Sequence, residues 1–231
     1  MGSKRPASLL TLPTELRFLI YQPILRPVRR IQLYVFQHCR FGKVEVYDPR
    51  THDKGHRKYT ALLYVNRLIN REYSALFYDR FQFAMSDLTD NEPRLLESFL
   101  DGIGPHNASQ LSCISLSFPA IRDALGSKLR EDGRRTLELL QERCPRLKNL
   151  HTKIHENNGD GLVAKEYCCK GLASQALSEI NTQLKKMPLL REVLVSNFYE
   201  EFHPETVELM ESFGWKIDAP PFLPVSGSET T

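Results

Sequence analysis

An apolar pattern of the form L-x-x-L-x-L recurs in the second half of the chain and limits the folds that this half can adopt. The copies lie 36 and then 43 residues apart. They occupy Leu111, Ile114 and Leu116, then Leu147, Leu150 and Thr152, and then Leu190, Val193 and Val195. Pro145 and Pro188 precede the second and third copies, and proline ends a helix. The pattern therefore predicts repeated units, each with a strand that follows a helix.

Amphipathic segments fill the intervals between these strands. The segment Arg134 to Arg143 carries leucines on one face and Leu172 to Leu184 carries a continuous apolar stripe, so both are predicted helices. Pro204 opens a last helix, Gly214 closes it, and residues 215–217 follow as a terminal strand. Strands that alternate with helices of this length are expected to be parallel. The second half thus resembles an irregular leucine-rich-repeat stack, with a short curved sheet and helices on one side.

The first half opens with a helix signal. Thr11 can cap the helix, Pro13 suits its first turn, and Glu15 places a carboxylate near the positive end of the helix dipole. Spacings of three and four put one apolar face on this helix, made of Leu16, Leu19, Ile20 and Tyr21. Prolines at positions 23 and 27 end it.

Alternating residues at 31–36 and 44–47 then predict a β-hairpin, and a polar loop at 48–58 follows it. The strongest helical signal covers 61–78. Its predicted buried face consists of Leu62, Val65, Leu68, Ile69, Tyr73, Leu76 and Phe77. Residues 81–83 alternate as a short strand, and 94–100 are predicted to form a helix that ends near Gly102.

Composition restricts the class of protein. The chain has 231 residues, of which 41% are hydrophobic, enough to fill a core. Its 31 basic and 28 acidic residues give a net charge of +3, too weak a field to indicate nucleic acid as the main partner. The sequence has neither a membrane-spanning apolar run nor a secretory signal, and its five cysteines are odd in number with no C-x-x-C pair. We therefore expect reduced thiols and a cytoplasmic or nuclear location.

Four motifs in the first half occur in the order found in a large group of fungal proteins. L-P-T-E-L-R at 12–17 continues to Ile20 and Tyr21, and V-N-R-L-I-N-R-E follows at 65–72. Phe77 and Tyr78 come next, and then F-Q-F at 81–83. On these residues the chain resembles the fungal F-box-like proteins over about 9–85, with a hairpin inserted between the two main motifs.

That resemblance implies that the first helices bind the Skp-type adaptor of a cullin-RING ubiquitin ligase, while the second half holds a target protein. The residues that would contact the adaptor are Leu12, Pro13, Glu15, Leu16 and Ile20. An alternative remains open at this stage. The same side chains could form the core face of the first helix, in a structural or scaffolding protein that retains the fold without binding the adaptor.

In the second half, residues between the buried strand positions should face the open side of the sheet. These candidate partner-contact residues are Ser115, Ser117, His151, Lys153, Leu194 and Ser196. Leu194 stands among polar neighbours, so it is either an exposed apolar anchor or is covered by residues 220–223.

Together these patterns predict an α+β chain. It is divided into a disordered tail at 1–8, an F-box-like helical region at 9–100 with an inserted hairpin at 31–47, an α/β repeat-like region at 101–218 and a disordered tail at 219–231. No motif for a catalytic nucleophile, a phosphate-binding loop or a metal site stands out. We therefore expect an interaction protein without cofactor or metal, rather than an enzyme.

Overall fold

The computed structural model describes the two main motifs and most of the second half of the chain. The described residues are 8–25, 32–37, 44–47, 57–85, 92–119, 121–122, 128–154, 172–197, 202 and 204–218. The predicted tails, apart from residue 8, and the greater part of the predicted polar loop lie outside these ranges.

Helices occur in both halves. Their bounds are α1 Thr14–Ile24, α2 Arg57–Thr60, α3 Arg67–Arg80, α4 Glu92–Ala108, α5 Glu131–Arg143, α6 Leu172–Leu184 and α7 Pro204–Ser212. Short 3₁₀ turns at Leu9–Thr11 and Ala61–Tyr64 precede α1 and α3. Gly104 interrupts α4 with a φ of +79°, which an L side chain rarely adopts. The helix predicted at 61–78 begins only at Arg67. Asn66 caps it, and the residues before Asn66 form a 3₁₀ turn.

Among the described residues, seven strands form one sheet in the order β2-β1-β3-β4-β7-β8-β9. Their bounds are β1 Gln32–Gln37, β2 Val44–Tyr47, β3 Gln82–Met85, β4 Cys113–Ser117, β7 Asn149–Ile154, β8 Glu192–Asn197 and β9 Lys216–Asp218. A separate pair joins β5 Ile121–Arg122 to β6 Lys128–Leu129. Only β2 runs antiparallel in the large sheet, so the predicted parallel strands and the predicted hairpin are both confirmed.

One apolar core lies between this sheet and the helices. Alternate strand residues supply one side of it, for example Phe83, Ile114 and Leu150. Aromatic side chains cluster around β3. The centre of the Phe83 ring lies 6.0 Å from that of Phe77 and 5.2 Å from that of Phe99. Burial of these large rings provides the main stabilisation, since the hydrophobic effect scales with apolar area removed from water.

The two predicted regions share this sheet. Strand β3 of the first region pairs with β4 of the second, with Phe83 opposite Ile114, and α4 runs through residue 100 where the regions were divided. The hairpin strand β1 pairs on its other side with β3, so the insertion extends the sheet at its edge. The chain therefore has the mixed α/β architecture that the sequence predicts in outline.

Candidate protein-interaction surfaces

Helix α1 buries Arg17 and Tyr21 and exposes three of its apolar side chains. Arg17 and Tyr21, one turn apart, are buried against α3. Leu16 and Leu19 are exposed, and Ile20 is 42% exposed. The sequence prediction of one apolar face containing Leu16, Leu19, Ile20 and Tyr21 is therefore wrong, because Tyr21 is buried whereas the other three side chains are exposed.

That partner is Glu72 of α3. Arg17 Nε donates to Glu72 Oε2 at 2.9 Å and Nη2 donates to Oε1 at 2.5 Å, which is a two-point charge-assisted contact. Arg17 also donates to the Leu12 carbonyl and, at 3.0 Å, to Thr14 Oγ1. The Tyr21 hydroxyl donates to Glu72 Oε2 at 3.1 Å. The cluster ties the start of α1 to the middle of α3.

The cluster changes the acidity of its members. The hydrogen bond from Arg17 holds the pKa of the Glu72 carboxyl below its ordinary value, although partial burial opposes this effect. The hydrogen bond with Glu72 raises the pKa of Arg17, which stays charged. Burial, with the nearby Glu72 carboxylate, raises the pKa of the Tyr21 hydroxyl. At neutral pH the pair is therefore fully ionised and Tyr21 is a neutral donor.

Most of the residues predicted to contact an adaptor are exposed. Pro13, Glu15, Leu16 and Ile20 are exposed, and Leu12 is half-buried. The described strands of the inserted hairpin, β1 and β2, extend the edge of the sheet. We name the exposed residues Leu16, Leu19 and Ile20 the α1 face.

A second exposed apolar group lies at the start of α3. Tyr64 is 83% exposed, Val65 is 62% exposed, and Leu68 is also exposed. The predicted burial of Val65 and Leu68 is therefore wrong: Val65 precedes α3, and Leu68 lies in its exposed first turn. Asn66 was the sequence signal for this later helix start, since asparagine is a strong helix cap.

Each apolar group includes a residue that lies about one turn from a member of the Arg17–Glu72 pair on its own helix. Ile20 follows Arg17 by three residues, and Leu68 precedes Glu72 by four, so each apolar side chain neighbours one member of the pair on its own helix. The ion pair therefore fixes the distance between the α1 face and the start of α3.

The predicted contact residues of the second half align in two rows across the sheet. Ser115 lies opposite His151, which lies opposite Leu194. Ser117, Lys153 and Ser196 form the parallel row two positions later. All six therefore share the sheet face that is directed away from the core, which we name the open sheet face.

Long side chains reach across the small ones on this face. Gln82 Nε2 lies 3.1 Å from His151 Nδ1, so the Gln82 side chain passes over β4. The Lys153 ammonium lies 5.8 Å from the centre of the Tyr34 ring. Ser115 and Ser196 are buried. The other four predicted residues are half-buried: Ser117, His151, Lys153 and Leu194.

The lysine on this face is partly desolvated. Burial lowers the pKa of Lys153, because an ammonium loses hydration when it leaves water. The ring of Tyr34 supplies a weak compensating attraction for the cation. The open sheet face is thus a layer of mutually contacting polar side chains.

The described residues hold no group of three or more metal-ligating side chains. Cys113 and Cys144 are buried, and burial raises the pKa of the Cys144 thiol to about 12, so Cys144 is not activated as a nucleophile. No helix in the described part of the chain has both the length and the apolar character of a membrane span.

Comparison with known proteins adds no relative. The chain matches no protein-family model, no curated protein and no solved structure.

Proposed function

We propose that this chain is an F-box-like adaptor, in which residues 9–80 bind the Skp-type subunit of a cullin-RING ubiquitin ligase and the second half holds a target protein. The observation that carries the proposal is the exposure of the α1 face. Leu16, Leu19 and Ile20 are large apolar side chains on one ordered helix, and such groups at a protein surface mark interaction sites.

The energetics are consistent with a binding helix. Covering a partly exposed leucine or isoleucine is worth on the order of 1 kcal/mol, since full burial contributes roughly 1.5–3 kcal/mol. Three such side chains, with Pro13 beside them, would supply a useful part of the affinity of a protein complex. The L-P-T-E-L-R and V-N-R motifs occur in the same order as in the fungal F-box-like proteins. This resemblance is the reason for proposing the Skp-type adaptor as the partner.

In the proposed assembly the second half is an irregular leucine-rich-repeat-like stack whose open sheet face meets the target. The half-buried residues His151, Lys153 and Leu194 would make that contact, because Ser115 and Ser196 are buried. A target with an apolar group for Leu194 and an acceptor for Lys153 fits this face.

Co-purification with the Skp-type adaptor tests the proposal. We expect the Leu16→Asp, Ile20→Asp double variant to lose the adaptor, because two carboxylates would be buried in an apolar contact. Leu189→Asp is the matched control: Leu189 has the same exposed fraction as Ile20, 42%, but lies in the loop before β8. Leu194→Asp should also keep the adaptor, since it changes only the open sheet face.

Circular dichroism and thermal unfolding of each variant establish that it is folded. Failure of the wild-type chain to bind, or equal recovery of the wild-type chain and the α1 double variant, would reject the ligase proposal. The alternative would then be a scaffolding protein that uses the same fold without this adaptor.

A further inference from the structure

The turn that leads into α3 combines order with exposure. Asn70 Nδ2 donates to the Leu63 carbonyl at 2.5 Å, and the Asn66 side chain accepts the Leu68 N–H at 2.8 Å. The backbone of the turn is therefore fixed. Tyr64 and Val65 nevertheless project into solvent, so their exposure does not come from a loose segment.

Two arginines beside these side chains occupy electrostatically unfavourable positions in α3. Arg67 is the first residue of α3, and no acidic residue occupies the first turn. A cation at the positive end of a helix dipole is unfavourable, by roughly 0.3–1 kcal/mol. Arg71 follows one turn later, and like charges four residues apart also repel. By contrast, α1 begins with Glu15, the favourable choice.

Neither arginine gains a compensating contact within the described residues. Both are exposed, and neither forms an ion pair there, whereas Arg17 and Arg134 each have a carboxylate partner. A charge that is unfavourable for its own helix, and that gains no contact in the fold, indicates a residue with a role outside folding. The purpose indicated by two unpaired guanidiniums next to an apolar turn is recognition of carboxylates.

We infer that the start of α3 is a second contact element, in which Tyr64, Val65 and Leu68 enter an apolar surface of the partner and Arg67 and Arg71 meet carboxylates at its rim. This inference rests on the proposed function, because Glu72 links the element to the α1 face. It adds the chemistry of the partner, which is an apolar groove with an acidic edge.

A protein fits this surface better than the two other anionic partners. Nucleic acid would require more cations than these two arginines provide. An anionic lipid surface would repel Glu15, which is exposed beside Leu16. Charges at the rim of a protein interface act mainly on the association rate, which gives the inference a specific signature.

The test measures association with the Skp-type adaptor at low and high ionic strength. We expect Arg67→Glu, Arg71→Glu to lower the association rate by about tenfold at low salt and to flatten its salt dependence. Lys185→Glu, Lys186→Glu is the matched control, because it changes the net charge equally at exposed positions after α6. The control should retain most of the association rate and its salt dependence.

A second measurement needs no partner. An acidic residue at 67 matches the helix dipole and removes the repulsion from Arg71, so the thermal midpoint of the free Arg67→Glu variant should be equal to or higher than that of the wild-type chain. A lower midpoint would show that Arg67 serves the fold, and would overturn the inference.

The remaining outcomes are distinct. If the wild-type chain binds and the arginine variant associates at the same rate, this inference fails while the proposed function stands. If the wild-type chain does not bind the adaptor, both fail. Binding to phosphatidylserine vesicles that the arginine variant loses would assign the element to a membrane surface and overturn the inference.

Discussion

The guanidinium of Arg17 binds the carboxylate of Glu72 through two N–H donors, although the residues lie 55 positions apart in the chain. Both side chains are largely buried, and the Tyr21 hydroxyl donates a further hydrogen bond to the carboxylate. The pair therefore specifies how α1 lies on α3. It also explains why the polar Arg17, rather than Leu16 or Ile20, points inward.

Replacing Glu72 by glutamine should lower stability at neutral pH, because Arg17 would keep its charge and lose its partner. The pKa of Glu72 in the folded chain lies below its ordinary 4.5. The contribution of the carboxylate is therefore complete above pH 4.5 and is lost as the pH falls through the lower folded value. Denaturant unfolding from neutral pH to about pH 3 should show the wild-type advantage shrinking over that window.

The control for this experiment is Glu142→Gln, which removes an exposed carboxylate that makes no ion pair within the described residues. Its stability relative to the wild-type chain should change little. A difference between wild type and Glu72→Gln that stays constant down to the lowest pH would contradict the assigned role of the pair.

Replacing Phe83 by alanine should lower the stability of the apolar core. Its ring lies 5.6 Å from Tyr78 and 5.2 Å from Phe99, and it connects β3 to two helices. We expect Phe83→Ala to cost about 3–5 kcal/mol in the free energy of unfolding, from lost burial and the cavity that remains. Leu189→Ala, at an exposed site, should cost less than about 0.5 kcal/mol by the same denaturant titration. Similar losses for both variants would argue against this aromatic core.

The thiols of Cys113 and Cys144 should resist alkylation in the folded chain. Both are buried, and burial raises the pKa of Cys144 to about 12, so little thiolate forms at mild alkaline pH. Mass spectrometry after brief iodoacetamide treatment should find both positions unmodified, and modified once denaturant is added. Labelling of Cys144 without denaturant would place it on an open surface.

Lys153→Met tests the desolvated lysine on the open sheet face. Burial lowers the pKa of Lys153 below 10.5, so the charged form is penalised in the folded chain at neutral pH. That penalty disappears as the pH rises towards 10.5, where the unfolded chain also loses the proton. Stability relative to Lys153→Met should therefore shift in favour of the wild-type chain as the pH rises. Lys185→Met, at an exposed position, provides the comparison, and a shift in the opposite direction would refute the assignment.

Much of the sheet is predictable from local patterns. The L-x-x-L-x-L copies become β4, β7 and β8 in matching register, with Ile114 opposite Leu150 and Leu150 opposite Val193. The helix at Leu172–Leu184 has its predicted bounds. These elements follow the sequence because each one has a single apolar face and one layer to pack against.

The orientation of α1 and the start of α3 required long-range information. A helix with leucines on one side and an arginine on the other is expected to bury the leucines, and only the distant Glu72 reverses this. Ser115 is likewise buried, although strand alternation predicts that it faces the open side of the sheet. A period in the sequence indicates which residues share a face, but not which face a remote side chain will cover.

The fixed turn before α3 has a thermodynamic consequence for any complex that uses it. Asn70 and Asn66 already hold the backbone at Leu63 and Leu68, so a partner need not restrict these residues further. Ordering a loose loop would subtract conformational entropy from the binding free energy, and here that loss has been incurred during folding. Substituting Asn70 should therefore weaken binding through entropy, without removing any contact at the interface.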